Sequence, residues 1–204
     1  MNTIDAIMRL GPVIPVLTIR DLAHAVPIAE ALVEGGLTVL EVTLRTPVAR
    51  DAIRAMAKVQ GAIVGAGTVT RADEIESVLA AGAQFAVSPG LTQSIADASR
   101  KAGLPLLPGV STAGDIMRGI EMGLDRFKFF PAEAPGGLAA LKALAAPFFN
   151  CRFCPTGGIS EANAPVWLAH EAVLCVGGSW FVDAGAPDIA KIRARAAAAV
   201  ALRR

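Results

Sequence analysis

Two side chains that belong in water stand inside apolar runs. Lys128 sits in Phe127-Lys128-Phe129-Phe130-Pro131, and Glu41 in Val39-Leu40-Glu41-Val42-Thr43-Leu44-Arg45. Side chains alternate along a strand, so Phe127 and Phe129 face one layer while Arg126, Lys128 and Phe130 face the other; Glu41, Thr43 and Arg45 likewise share a face. Pro131 lacks an amide donor and ends its run, which puts Lys128 near the C-terminal end of a strand. The other four lysines, Lys58, Lys101, Lys142 and Lys191, fall in stretches that read as amphipathic helices, where an ammonium stays hydrated. A lysine at a strand end can also lay its stem on apolar surface and keep its head in water. Glu41 can equally be a structural partner of Arg45 or Lys128, because an enclosed carboxylate needs one. If the two residues act, the chemistry is specific. A lysine amine at such a strand end, once free of its proton, can attack a ketone. A carboxylate beside it can move protons at the carbon next to the carbonyl. The protonated imine withdraws electrons, which lets an adjacent C–C bond break or form.

Other chemistries find less material. His24 and His170 fall in helical stretches away from strand ends, so neither a Ser-His-Asp triad nor a histidine metal site assembles. Three cysteines, Cys151, Cys154 and Cys175, are too few for a disulfide scaffold. Cys151-Arg152-Phe153-Cys154 has redox or zinc spelling, but in an extended segment its ends lie about 10 Å apart on opposite faces. A net charge of +1 and 5% aromatics leave no footprint for nucleic acid. The N-terminal Met1-Asn2-Thr3-Ile4-Asp5 opens no signal-like pattern, and no uncharged apolar stretch is long enough to span a bilayer, so a cytoplasmic protein is expected.

The elements that must position Lys128 and Glu41 show as a period. Gly36, Gly61, Gly82, Gly103 and Gly123 each follow a helix-like stretch and precede an apolar run, at spacings of 25, 21, 21 and 20 residues. Helix, glycine stop and buried strand make a repeating βα unit. Strands are predicted over Val13 to Ile19, Thr38 to Leu44, Ala62 to Gly67, Gln84 to Ser88, Pro105 to Pro108, Arg126 to Phe130, Arg152 to Pro155 and Val173 to Val176. A C-terminal helix is expected from Asp188 to Arg204. Eight such units in 204 residues with 53% hydrophobic composition fit one α/β domain, 1–204, folded as a compact (β/α)8 barrel. A doubly wound open sheet would place G-x-G-x-x-G after the first strand, where this chain reads Leu17-Thr18-Ile19-Arg20; a Walker A sequence is absent too. A barrel gathers its chemistry at the C-terminal strand ends. The seventh ends Pro155-Thr156-Gly157-Gly158-Ile159-Ser160 and the eighth Gly177-Gly178-Ser179, two glycine pairs whose backbone amides suit a phosphate.

These strand ends carry a resemblance. Glu41-Val42-Thr43-Leu44-Arg45-Thr46, Gly65-Ala66-Gly67-Thr68, Ser88-Pro89-Gly90-Leu91, Phe127-Lys128-Phe129-Phe130-Pro131-Ala132-Glu133 and Cys154-Pro155-Thr156-Gly157-Gly158-Ile159-Ser160 resemble, in order from about Gly11 to Trp180, the 2-keto-3-deoxy-6-phosphogluconate (KDPG) aldolases. The resemblance implies a class I aldolase of the Entner–Doudoroff pathway that cleaves a keto-acid sugar phosphate to pyruvate and glyceraldehyde 3-phosphate. A side activity on 4-hydroxy-2-oxoglutarate, or on the galactonate epimer, is known among such relatives. It implies Lys128 as the Schiff-base residue and Glu41 as the acid/base. Arg45, Thr68, Pro89, Phe130 and Thr156 would hold the keto acid, and Gly157, Gly158, Gly178 and Ser179 the phosphate. It further implies a homotrimer that needs no metal or other cofactor. Two rival functions use part of the same inventory. A silent barrel that senses a sugar phosphate has no use for Glu41 and Lys128 together, and an isomerase or epimerase needs acid/base groups but no imine; borohydride reduction with pyruvate separates all three.

Overall fold

The structure, a computed structural model, describes residues 3–202. Among them, eight parallel strands alternate with helices: β1 Val13–Leu17, β2 Val39–Thr43, β3 Ile63–Gly67, β4 Phe85–Ser88, β5 Leu106–Val110, β6 Arg126–Phe129, β7 Arg152–Pro155 and β8 Val176–Gly178. A short helix α1, Ile4–Met8, precedes β1, and the crossovers are α2 Ala25–Glu34, α3 Ala49–Met56, α4 Glu74–Ala80, α5 Gln93–Ala102, α6 Ala113–Glu121, α7 Gly137–Ala145 and α8 Ala164–Leu168, with α9 Ile189–Val200 last. The ladder runs β7-β6-β5-β4-β3-β2-β1-β8, and parallel bridges Phe153 to Val173 and Thr156 to Gly177 bring the two ends together. The expected (β/α)8 barrel is the fold.

The glycine period marks the helix-to-strand reversals. Gly36, Gly61, Gly82, Gly103 and Gly123 all have positive φ, from 65° to 96°, a conformation that a Cβ penalises. One strand differs from its expected place. In the run Val173 to Val176 all but the partly buried Leu174 are buried, but pairing with β1 begins at Val13 opposite Val176 and continues through Gly177 and Gly178. Glycine weakens a strand, so a sequence reading places the pair in a turn. Here both lie in β8 because neighbours occupy the space of their side chains: a Cβ on Gly177 would come 2.3 Å from Thr156 Oγ1, and one on Gly178 1.8 Å from the Trp180 ring. The C-terminal helix starts after Asp188, whose side chain caps it. Its expected end at Arg204 lies outside the described residues.

Two cores follow from strand alternation. The outer one packs strands against helices and contains Phe127, Phe129 and Phe153; Phe127 sits 6.2 Å from Phe153, and Phe129 6.4 Å from Trp167. Burying each such side chain contributes about 1.5–3 kcal/mol. The inner one fills the lower barrel with Ile14, Val39, Phe85, Val87, Leu107, Cys154 and Cys175, plugged from below by Ile7 and Met8 of α1. The C-x-x-C pair is split between them, Cys151 outside and Cys154 inside beside Cys175. The hydrogen bond with Cys154 and burial raise the Cys175 pKa well above an ordinary thiol. No helix among the described residues is long and apolar enough to cross a membrane.

Candidate active site

Above the apolar filling the barrel interior turns polar. Glu41, at the middle of β2, and Lys128, on β6, reach across the bore, where Lys128 Nζ donates to Glu41 Oε1 at 3.2 Å. They are 3% and 6% exposed, and the ammonium lies 5.3 Å from the centre of the Phe130 ring. Two glycines of β3 make the room. A Cβ on Gly65 would stand 2.3 Å from the Phe85 ring, which fills the centre of the barrel. A Cβ on Gly67 would stand 2.3 Å from Glu41 Oε1. The Gly65-Ala66-Gly67 spelling thus has a physical reason: the two interior positions of the strand are vacated, one for the apolar plug and one for the carboxylate, while Ala66 packs outward.

On the same side of the mouth Arg45 Nε donates to Thr68 Oγ1 at 3.2 Å. Thr68 has φ of 60°, a left-handed conformation that is an outlier for a β-branched residue. Such a residue costs on the order of 1–3 kcal/mol and is held by its surroundings. The strain turns the hydroxyl toward Arg45, whose guanidinium reaches no carboxylate among the described residues. Thr43 Oγ1 donates to Leu17 O at 3.0 Å and Thr46 Oγ1 to Ile19 O at 2.6 Å, pinning the end of β1 to β2. Opposite, β5 approaches the β4 turn so closely that a Cβ on Gly109 would lie 2.2 Å from Pro89 O. Phe130, just past β6, lies against Gly157, and Thr156 is buried at the end of β7.

The Thr156–Gly177 bridge sets Gly157 and Gly158 beside Gly178 and Ser179. Gly157 and Gly158 have φ of 98° and 83° and form the loop after β7. That loop is fixed by residues to which the sequence reading gave no role. Ala132 N donates to Thr156 O at 2.8 Å and Glu133 N to Gly157 O at 3.2 Å. The Glu133 carboxylate accepts from Trp167 Nε1 at 3.1 Å and Asn163 Nδ2 at 3.2 Å, and Asn163 Nδ2 also donates to Gly158 O at 3.0 Å. The signal for Asn163 was its place three residues after Ser160, where its side chain accepts from Ser160 N at 2.8 Å. Nothing local in the sequence announced Glu133 or Trp167, which act over separations of 30 and 34 residues.

Fold and site together define a (β/α)8 barrel that carries an amine–carboxylate pair enclosed at its C-terminal face, the equipment of imine chemistry on a carbonyl compound. Residues 4–195 match the family model of KDPG and KHG aldolase, and the chain belongs to that family. It is 57% identical over 204 residues, 100% of its length and 98% of the relative's, to the 2-dehydro-3-deoxy-phosphogluconate aldolase of Zymomonas mobilis. The crystal structure of the Zymomonas mobilis 2-keto-3-deoxy-6-phosphogluconate aldolase with 3-phosphoglycerate superposes with a TM-score of 0.97 at 57% identity, covering 98% of this chain and 96% of that one. The KDPG aldolase of Legionella pneumophila, with pyruvate captured as a covalent carbinolamine intermediate, matches with a TM-score of 0.85 at 44% identity, covering 97% and 94%.

Proposed function

We propose that the chain is a class I aldolase, an aldehyde-lyase that cleaves 2-keto-3-deoxy-6-phosphogluconate to pyruvate and glyceraldehyde 3-phosphate, with 4-hydroxy-2-oxoglutarate as a second substrate. The observation that carries the reading is the enclosed Lys128–Glu41 contact at 3.2 Å. In this mechanism Lys128 Nζ adds to the C2 ketone, and the carbinolamine loses water to give a protonated imine. The C3–C4 bond then breaks: its electrons move into the imine to form an enamine, the C4 hydroxyl gives its proton to Glu41, and the aldehyde departs. Glu41 returns a proton to C3, and water hydrolyses the imine to release pyruvate and the free amine. Arg45 and Thr68 take the carboxylate of the keto acid, Pro89, Phe130 and Thr156 line its flanks, and Gly157, Gly158, Gly178 and Ser179 take the phosphate. No metal or organic cofactor enters any step.

The same reading makes residues 1–204 a single catalytic domain, working in the cytoplasm as a homotrimer in the Entner–Doudoroff pathway. Its test is chemical. With pyruvate and borohydride, the peptide carrying Lys128 gains a pyruvate-derived mass, and Lys128→Arg gains none, because a guanidinium stays protonated. A barrel that merely binds sugar phosphates, or an isomerase, traps nothing. For the phosphate assignment, Gly158→Asp lowers affinity for phosphorylated substrate far more than for pyruvate; equal loss on both moves the phosphate elsewhere.

A further inference from the structure

Gly157, Gly158, Gly178 and Ser179 offer a phosphate backbone amides and one hydroxyl, with no cation among them. Beside those groups lies a cavity of about 280 Å³ at the ends of β1 and β8 that Ser179 lines together with Thr18, Arg20, His24, Asp183 and Gly185. Pro15 pairs with Gly178, so the chain leaving β1 runs beside Ser179, and Arg20 lines the same cavity.

Arg20 differs from most arginines of the chain. Among the described residues only Arg20, Arg45 and Arg152 form no ion pair with a carboxylate. Arg152 stands at the N-terminal start of β7 and is occupied by the carbonyls of Phe149 and Cys151, both at 2.8 Å. Among the described residues Arg45 and Arg20 are therefore the two guanidinium groups at the C-terminal face without a carboxylate partner, and the proposed substrate is anionic at its two ends. The other charged groups around the cavity do not compete for Arg20. His24 lies 4.0 Å from Asp21. Asp183 is held by Lys191 at 2.8 Å and Arg195 at 2.9 Å, which keep its carboxyl below the usual carboxylate range and leave that cluster net positive.

We infer that Arg20 is the cation that receives the substrate's phosphate, and that it sets the preference for phosphorylated over unphosphorylated aldehydes. The inference rests on the aldolase reading and its phosphate loop. A planar guanidinium offers two parallel donors to a phosphate that backbone amides alone bind without charge compensation. The Arg20 side chain is exposed and makes no hydrogen bond to the fold, so its truncation leaves the barrel standing.

The experiment compares condensation of pyruvate with glyceraldehyde 3-phosphate and with glyceraldehyde, after borohydride trapping of pyruvate has been recorded for each protein. Arg20→Ala is expected to raise KM for the phosphorylated aldehyde about 10- to 100-fold, to shift the ratio of the two kcat/KM values by a similar factor, and to recover part of it as Arg20→Lys. An unchanged ratio with trapping intact overturns the Arg20 assignment and leaves the aldolase reading in place. Failure of the unsubstituted protein to trap pyruvate overturns both.

Discussion

Arg126 and Lys128 are two cations on the same face of the same strand, two residues apart, and they meet opposite fates. Arg126 ends at the floor of the barrel, where it donates to the Asp5 carboxylate of α1 and to Asp125 O at 3.1 Å, with Asp125 itself 3.1 Å away as an ion pair. Lys128 ends in the polar layer with one carboxylate partner and an aromatic face. One step along the pleat separates a closed electrostatic clasp from a lysine with a single hydrogen-bond acceptor among the described residues. The arginine cannot lose its proton and is surrounded by acceptors, so it holds structure. A lysine amine, unlike a guanidinium, acts as a nucleophile once free of its proton, so Lys128 is the cation of the two that suits covalent chemistry. The two halves of the bore differ likewise: apolar filling and the Arg126–Asp5 pair below, the Lys128–Glu41 pair and a strained Thr68 above.

The contrast can be broken most severely at Glu41. Glu41→Gln keeps shape and removes the proton carrier, so cleavage and exchange of the pyruvate methyl protons with solvent both fall about 10²- to 10⁴-fold, while the borohydride adduct still forms at long times. Unchanged exchange, followed by NMR in deuterated buffer, would take the acid/base role from Glu41. Next comes the space between the layers. Gly67→Ala drives a methyl into the carboxylate and is expected to cost about 1–3 kcal/mol in denaturant unfolding together with most of the activity. Full activity in that variant would mean Glu41 need not stand where β3 leaves room for it. A smaller effect is expected from Glu133→Gln, which weakens the acceptor for Trp167 and Asn163: KM for phosphorylated substrate rises several-fold with kcat nearly kept, and a fall in kcat alone would contradict a role in holding the Gly157–Gly158 loop.

The smallest effect belongs to the floor. Hydrogen bonding from Arg9, then from Arg126, holds the Asp5 carboxyl below the usual range against a desolvation that raises it. A carboxyl lowered in the folded state adds stability above its unfolded pKa of about 4, and that stability is lost as pH falls through the folded value. Asp5 is a third exposed, so its share after solvent screening is no more than about 1 kcal/mol. Asp5→Asn should accordingly lower Tm slightly at pH 7, converge with the parent protein in acid, and leave kcat unaffected. A loss of kcat there would blur the division between floor and mouth.

Much of this division was legible in the sequence because it is periodic. The five glycines between Gly36 and Gly123, the alternation about Lys128 and Glu41, and the apolar strand runs are local patterns, and each corresponds to a feature of the barrel. What was not legible depended on contacts distant in sequence. β8 was placed too early because its glycines read as a turn; only the Thr156 and Trp180 side chains, brought up by folding, explain why glycine belongs in that strand. Glu133 lay inside a recognised motif, yet its partners Asn163 and Trp167 are on another βα unit. Arg20 carried no signal at all, since an unpaired arginine is defined by the carboxylates that fail to reach it.

The central claim is that Lys128, and no other lysine, is the amine that takes the ketone. Digestion and mass spectrometry after incubation with pyruvate and borohydride test it most directly. The account predicts one modified peptide, the one containing Lys128, and no modification in Lys128→Arg. A pyruvate-derived mass on the peptides of Lys58, Lys101, Lys142 or Lys191, or a single adduct that survives Lys128→Arg, would contradict it.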